Sequence, residues 1–333
     1  MLTLDAFAQA ERLGMIVPAY QYPTQGSLWS DCAAAARRVP LVAVLNPANG
    51  PGNAPDPFYV EASNGVRTAG GRVIGYVPTF QASIPLATAI AWVDQYRAWY
   101  SLDGVYLDGM STDANPEHVA WYTSLRDAIR SRESTWLVVG GPGANTRPEY
   151  LPTADIFCIH EAEGASYFNW QPDAWVLDQP ASRFLHLVHS LAASDSMRAA
   201  VARAKSLRAQ WVFVTHDRMP NPWDDVPAYW DALVAAVETT QTVSAPSTAE
   251  RGTRLAAWPN PSRGAIQFRL PDELASQEIE VLDAAGREIA LLHPARSPRW
   301  DGRDLTGTSA PPGIYFARVR GARTPPLRLV VIR

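Results

Sequence analysis

WYSLDGVYLDGMS, Trp99 to Ser111, decides how the rest of the chain is read: the apolar run Gly104-Val105-Tyr106-Leu107 leads straight into Asp108, with Gly109 behind it. A strand this apolar is buried on both faces, as strands of a parallel sheet are. A carboxylate at its C-terminal tip stands where α/β barrels and open α/β sheets keep their chemistry. Asp is also a common N-cap and turn residue. What raises this one above that reading is that the pattern recurs along the chain.

Met15–Ala19, Leu41–Leu45, Arg72–Val77, Trp136–Val139, Ile156–Ile159, Phe184–Val188 and Trp211–Val214 read as further buried strands. Leu28–Arg38, Leu86–Tyr100, Pro116–Arg132, Met197–Ala209 and Val226–Val237 read as helices between or after them. Eight strands joined mostly by helices predict an α/β fold, a (β/α)8 TIM barrel over residues 1–239. An open doubly wound sheet is the second choice. It is disfavoured because Pro18-Ala19-Tyr20-Gln21-Tyr22-Pro23, after the first strand, is not a glycine-rich phosphate loop.

Thr240–Gly252 is polar and without periodicity and reads as a linker. Residues 253–333 then change texture: Ala265–Leu270, Glu278–Leu282, Ile289–Leu292, Ile314–Val319 and Leu327–Ile332 are short strands between turns such as Asp283–Arg287 and Ala310–Gly313. This predicts a small all-β, immunoglobulin-like sandwich.

Composition narrows the chemistry. With 47% hydrophobic and 19% charged residues the chain can bury a real core. A net charge of −4 implies no nucleic-acid partner and no affinity for acidic membranes. Lys205 is the single lysine, so Schiff-base chemistry has only that nucleophile to use. Cys32 and Cys158, one in an Ala-rich helix and one in an apolar strand, offer neither a disulfide framework nor metal-ligand spacing. No metal and no cofactor is expected. No apolar run reaches transmembrane length, and the first fifteen residues show no signal peptide. The chain is then either cytoplasmic or given without its leader.

If the barrel forms, one mouth collects Tyr20, Gln21, Asn46, Thr79, Asp108, Gly140–Gly143, His160, Glu161, His189, His216 and Asp217, while the strands behind them stay apolar. Asp108 and Glu161, with Glu163 two residues on, are the carboxylates that can divide into one ionised group and one proton donor, the pairing glycosidases use. Tyr20, Gln21, Asn46, Asn49, Tyr76, Thr79, His189 and His216 are candidates to hold sugar hydroxyls, whereas His186 reads as structural. No G-x-S-x-G elbow is present, which disfavours a serine hydrolase.

IVPAYQYP (Ile16–Pro23), VLNPANGPG (Val44–Gly52), GYVPT (Gly75–Thr79), the Trp99–Ser111 stretch and DIFCIHE (Asp155–Glu161) resemble the spherulin-4-like family over roughly Gly14 to Thr239. The resemblance implies a (β/α)8 barrel and endo-acting hydrolysis of α-1,4-linked N-acetylgalactosamine in galactosaminogalactan. Family catalysis, carried over by position, falls on Asp108, Gly109 and Glu161. Gly109 departs from the polar side chain usual there. Glu161 fits by distance from Asp155 and is preferred, while Glu163-Gly164 fits the Glu-Gly dipeptide of many members.

WPNPSRGAIQFRLP (Trp258–Pro271), VLDAAGREI (Val281–Ile289), WDGRDLTG (Trp300–Gly307) and PPGIYFARV (Pro311–Val319) resemble C-terminal sorting domains of the bacterial type IX secretion system and are similar to a flagellar-hook-type immunoglobulin-like module. That resemblance implies a secreted or cell-surface protein with secretion machinery as partner. The expectation is therefore a secreted glycoside hydrolase acting on an amino-sugar polysaccharide. The alternative is a non-catalytic carbohydrate-binding or matrix protein. A deacetylase is a third class, unsupported because no metal-ligand cluster is visible.

Overall fold

A computed structural model describes residues 12–239 and, further on, 255–332 apart from 259, 261, 263, 271–273, 275, 284–285, 295–297 and 322–325. The expected linker at 240–252 and the first eleven residues lie outside them. The chain divides into two compact units, Met1–Ala245 and Pro246–Arg333.

In the first unit, β1 (Met15–Pro18), β2 (Leu41–Leu45), β3 (Arg72–Pro78), β4 (Gly104–Asp108), β5 (Leu137–Gly141), β6 (Ile156–Glu163), β7 (Phe184–His189) and β8 (Trp211–Val214) form one parallel sheet in sequential order. Helices Leu28–Ala36, Pro57–Thr68, Leu86–Trp99, Pro116–Arg132, Gly164–Tyr167, Ser194–Ser206 and Trp230–Thr239 follow the strands in turn, except after β5, where the 3-10 segment Pro148–Thr153 takes the helix's place. The strands are apolar because the barrel interior buries one face and the helices bury the other. Val105, Val138, Val188 and Val214 are fully buried.

Closure falls to the residue just before β1. The Gly14 N–H donates to the Gln210 carbonyl (2.8 Å), and Gly14's carbonyl accepts from the Val212 N–H (3.0 Å), joining the first strand to the last in a nearly closed barrel. Backbones meet this closely because Gly14 has no side chain: a Cβ there would sit 2.7 Å from the Trp211 ring and 2.9 Å from the Pro40 carbonyl. Gly14→Val is therefore expected to cost about 2 kcal/mol of stability. Urea denaturation followed by tryptophan fluorescence checks it, and an unchanged midpoint would mean that the seam relaxes freely.

Helix Pro57–Thr68 follows β2 and was not among the predicted helices. It contains Asn64 and Gly65 and two β-branched residues among its non-terminal positions, so propensity speaks weakly for it. Local chemistry starts it instead: the Asp56 side chain accepts from the Phe58 N–H (2.9 Å) and Pro57 occupies the first helical turn. Buried Tyr59, Ser63 and Val66 then dock it on the sheet.

In the second unit, β9 (Ala256–Trp258), β10 (Ile266–Arg269) and β13 (Arg299–Trp300) make one antiparallel sheet. β11 (Ile279–Asp283), β12 (Glu288–Leu292), β14 (Gly313–Val319) and β15 (Leu327–Val331) make the other. Phe268 and Trp300 of the first sheet and Val281, Ala317 and Leu329 of the second share one core. Strands β9 and β13 escaped the sequence reading because three and two residues carry too little alternation to register.

Candidate active site

Asp108 ends β4, opposite Pro78 of β3 and Gly141 of β5 in the ladder. Its Oδ2 accepts a short hydrogen bond from the Tyr76 hydroxyl (2.6 Å). Burial pushes its pKa up, and the bonds from Tyr76 and the Gly109 N–H pull back the other way. A hydroxyl donating at this length holds the ionised form in place.

Glu161 reaches the same basin through an irregularity. Strict alternation along β6 would turn Cys158 and Glu161 to opposite faces. The register against β7 instead shifts between Cys158 and His160, a bulge that re-aims the residues beyond it. Tyr20, Tyr106 and Cys158 consequently all feel the carboxyl charges of Asp108 and Glu161. Glu161 is half-exposed at most and accepts a hydrogen bond from the Trp223 indole N–H at Oε1 (3.2 Å). Burial, and then the charge of Asp108, push its carboxyl up to about 7, while the Trp223 bond acts downward. Near neutrality this carboxyl therefore exchanges a proton.

Tyrosines complete the floor. The Tyr20 ring meets Tyr76 edge-on at 5.7 Å between centroids. Burial and the charge of Asp108 raise both hydroxyls, so both remain protonated donors. The Tyr20 N–H donates to the Trp223 carbonyl (3.1 Å), tying the loop after β8 across to the end of β1.

The other sequence candidates divide. His189, nearly buried, contacts the Ser190 hydroxyl through Nδ1 (2.9 Å) and lies edge-on to Trp223 at 6.0 Å, next to the Glu161 partner. Burial lowers its pKa, against the charge of Glu163. Glu163 itself is exposed, precedes the short helix Gly164–Tyr167 and pairs with His189 across the β6–β7 ladder. It is Glu161 whose carboxyl feels the charge of Asp108. His216 is half-buried on the rim, accepting from the Ala228 N–H at Nδ1 (3.4 Å) beside Tyr229. Asn46 closes its own loop, its Oδ1 accepting from the Gly50 N–H (3.0 Å), and Asn49 is exposed at that loop's tip.

Two candidates are corrected. Gln21 is buried, its Oε1 accepts from the Leu28 N–H (3.1 Å) and its Nε2 donates to Asp225 (3.4 Å), so its amide caps a helix instead of facing sugar. Thr79 is fully buried, its hydroxyl donating to the Asp108 carbonyl (2.7 Å) and meeting Tyr122 (2.8 Å); it anchors the strand end. Trp223 was not anticipated. It lies well past β8, in a stretch that carries no motif.

His160, one residue before Glu161, faces away from the basin. It sits among Tyr167 (4.7 Å), Trp170 (4.6 Å) and His186, and burial lowers its pKa to about 4. His186 is fully buried with Nδ1 in contact with the Tyr167 hydroxyl (2.8 Å), a structural place. Among the described residues no group of three or more His, Cys, Asp or Glu is arranged to hold a metal ion, and no helix is long and apolar enough to cross a membrane.

The family described as spherulation-specific family 4 matches residues 14–237 of this chain. Spherulin-4 of Physarum polycephalum is 29% identical over 218 residues, which are 62% of this chain and 64% of that protein's length. Among solved structures, Sph3 of Aspergillus clavatus in complex with GalNAc superposes with a TM-score of 0.61 at 22% identity, over 69% of this chain and 99% of that one. At that identity the likeness speaks for the barrel fold.

Proposed function

The chain belongs to spherulation-specific family 4, and on that premise we propose that its barrel is a glycoside hydrolase acting on an amino-sugar polysaccharide, with α-1,4-linked N-acetylgalactosamine as the cleaved sugar. One observation carries this reading: Glu161 is held near pKa 7 in a basin shared with Asp108, whose carboxylate Tyr76 secures. A carboxyl that still holds its proton near neutrality, sharing a site with a second carboxyl, is what glycosidic cleavage requires. Glu161 donates its proton to the leaving oxygen, and Asp108 meets the positive charge that develops at the anomeric carbon. Tyr20 and Tyr76 offer hydroxyl donors, and His189 and His216 line the rim. The sugar bound to the solved relative supports the choice of substrate.

Incubating the full chain with α-1,4-linked N-acetylgalactosamine polymer should release reducing ends in proportion to time and enzyme. Polymer bound but left uncut would favour the carbohydrate-binding alternative, for which the bare Gly109 is the specific argument.

The sandwich of residues 253–333 fits the role of an export module. Deleting it should retain the barrel inside the producing cell, as immunoblots of cells and medium would show. Delivery of the truncated barrel to the medium at the full-length level would contradict that role.

A further inference from the structure

Directly after β3 the backbone does something costly. Phe80, Gln81 and Ala82 take φ values of +46°, +56° and +64°, three successive non-glycine residues in the left-handed region. Such a run survives only where its surroundings over-determine it. Here the Gln81 N–H donates to the Gly109 carbonyl (2.8 Å), and the Ala82 and Ser83 N–H groups donate to the Thr79 (3.0 Å) and Phe80 (3.1 Å) carbonyls. The Thr79 hydroxyl meanwhile binds the Asp108 carbonyl. The turn is thus laced to the two peptides that end β4.

The strain is not offset by burial: the Phe80 side chain is 58% exposed. A lone exposed apolar side chain is common, but one held out on a strained turn that hydrogen bonds tie to the end of β4, beside a candidate catalytic carboxylate, is not. Gly109 adds to the picture. It too is left-handed (φ +62°), and a Cβ there would meet only the Phe80 N, at 3.7 Å. The strand end beside Asp108 is therefore open at Gly109, with the Phe80 backbone as its nearest boundary.

We propose that Phe80 is the stacking platform for a pyranose ring next to the cleavage point, gripping the apolar C–H face of the sugar while Gly109 leaves room for the ring. Aromatic side chains provide rigid apolar area at low entropic cost, which suits a repeating sugar. The inference rests on the hydrolase reading for its meaning, but its test can be read separately.

Phe80→Ala and Phe80→Tyr are compared in the full chain on the α-1,4-linked N-acetylgalactosamine polymer. Phe80→Ala should raise KM about 10-fold, in line with the loss of one aromatic contact, with kcat and Tm little changed. Phe80→Tyr should restore KM. An unchanged KM for Phe80→Ala, or a loss that tyrosine fails to restore, overturns the platform. If the wild type cleaves nothing, the hydrolase reading fails, and native gels cast with the same polymer decide on Phe80 alone. Retardation of wild type and Phe80→Tyr but not of Phe80→Ala supports the platform; equal retardation of all three, or of none, overturns it.

Discussion

Asp108→Asn is expected to lower the rate of reducing-end release by about 10³-fold, or roughly 4 kcal/mol of transition-state stabilisation. The reasoning is electrostatic. Asn occupies the volume of Asp and can still accept the Tyr76 hydrogen bond (2.6 Å in the native chain), so the strand end keeps its shape. What is removed is the negative charge that faces the cation developing on the sugar. Asp108 is partly buried, so that charge acts more strongly than it would in open water and solvent does not replace it. The same substitution makes Glu161 easier to ionise, since the Asp108 charge is the second cause, after burial, of its raised pKa. A variant with the same circular dichroism and Tm but nearly full activity would remove Asp108 from the mechanism.

Glu161→Gln should produce the second large loss, about 10²- to 10⁴-fold in kcat, the range for a missing general acid. Its pH dependence is more telling than its size. The wild type should lose activity as pH rises through about 7, where the donor gives up its proton; the residual rate of Glu161→Gln should lack that limb.

Stability moves with the same proton. The folded carboxyl titrates near 7 and the unfolded one near 4.5, so between those values the folded state holds more protons and loses stability as pH rises. The full cost of ionising the buried group is about 3 kcal/mol. Glutamine, neutral throughout and still able to accept from Trp223, avoids it. Urea midpoints at pH 5 and pH 8 should converge for the variant and diverge for the wild type. Parallel behaviour in both proteins would mean that Glu161 carries no raised pKa.

Much of the barrel was legible because buried parallel strands leave uninterrupted apolar runs, and eight of them are hard to mistake. Asp108 was legible for the same reason, as a charge that ends such a run. The choice between Glu161 and Glu163 was not. It turns on depth: the two lie two residues apart on β6, Glu161 partly buried and Glu163 exposed, a difference that residue type does not mark. Gln21 and Thr79 misled because position after a strand says nothing of where the side chain is spent: one caps a helix and the other ties β3 to β4. Trp223 was out of reach, since its place depends on a loop folding back so that its carbonyl accepts from Tyr20. The helix Pro57–Thr68 was hidden by a weak sequence that one Asp cap and one Pro suffice to start.

The central claim is that Asp108 and Glu161 flank one scissile bond, and a crystal structure of Glu161→Gln soaked with an α-1,4-linked N-acetylgalactosamine oligosaccharide tests it most directly. The expected density places a glycosidic oxygen within hydrogen-bond reach of the substituted amide, with the adjoining anomeric carbon facing the Asp108 carboxylate. Sugar bound elsewhere on the barrel, or lying in the mouth with Asp108 and position 161 on the same side of an intact ring and away from its linkages, would contradict it.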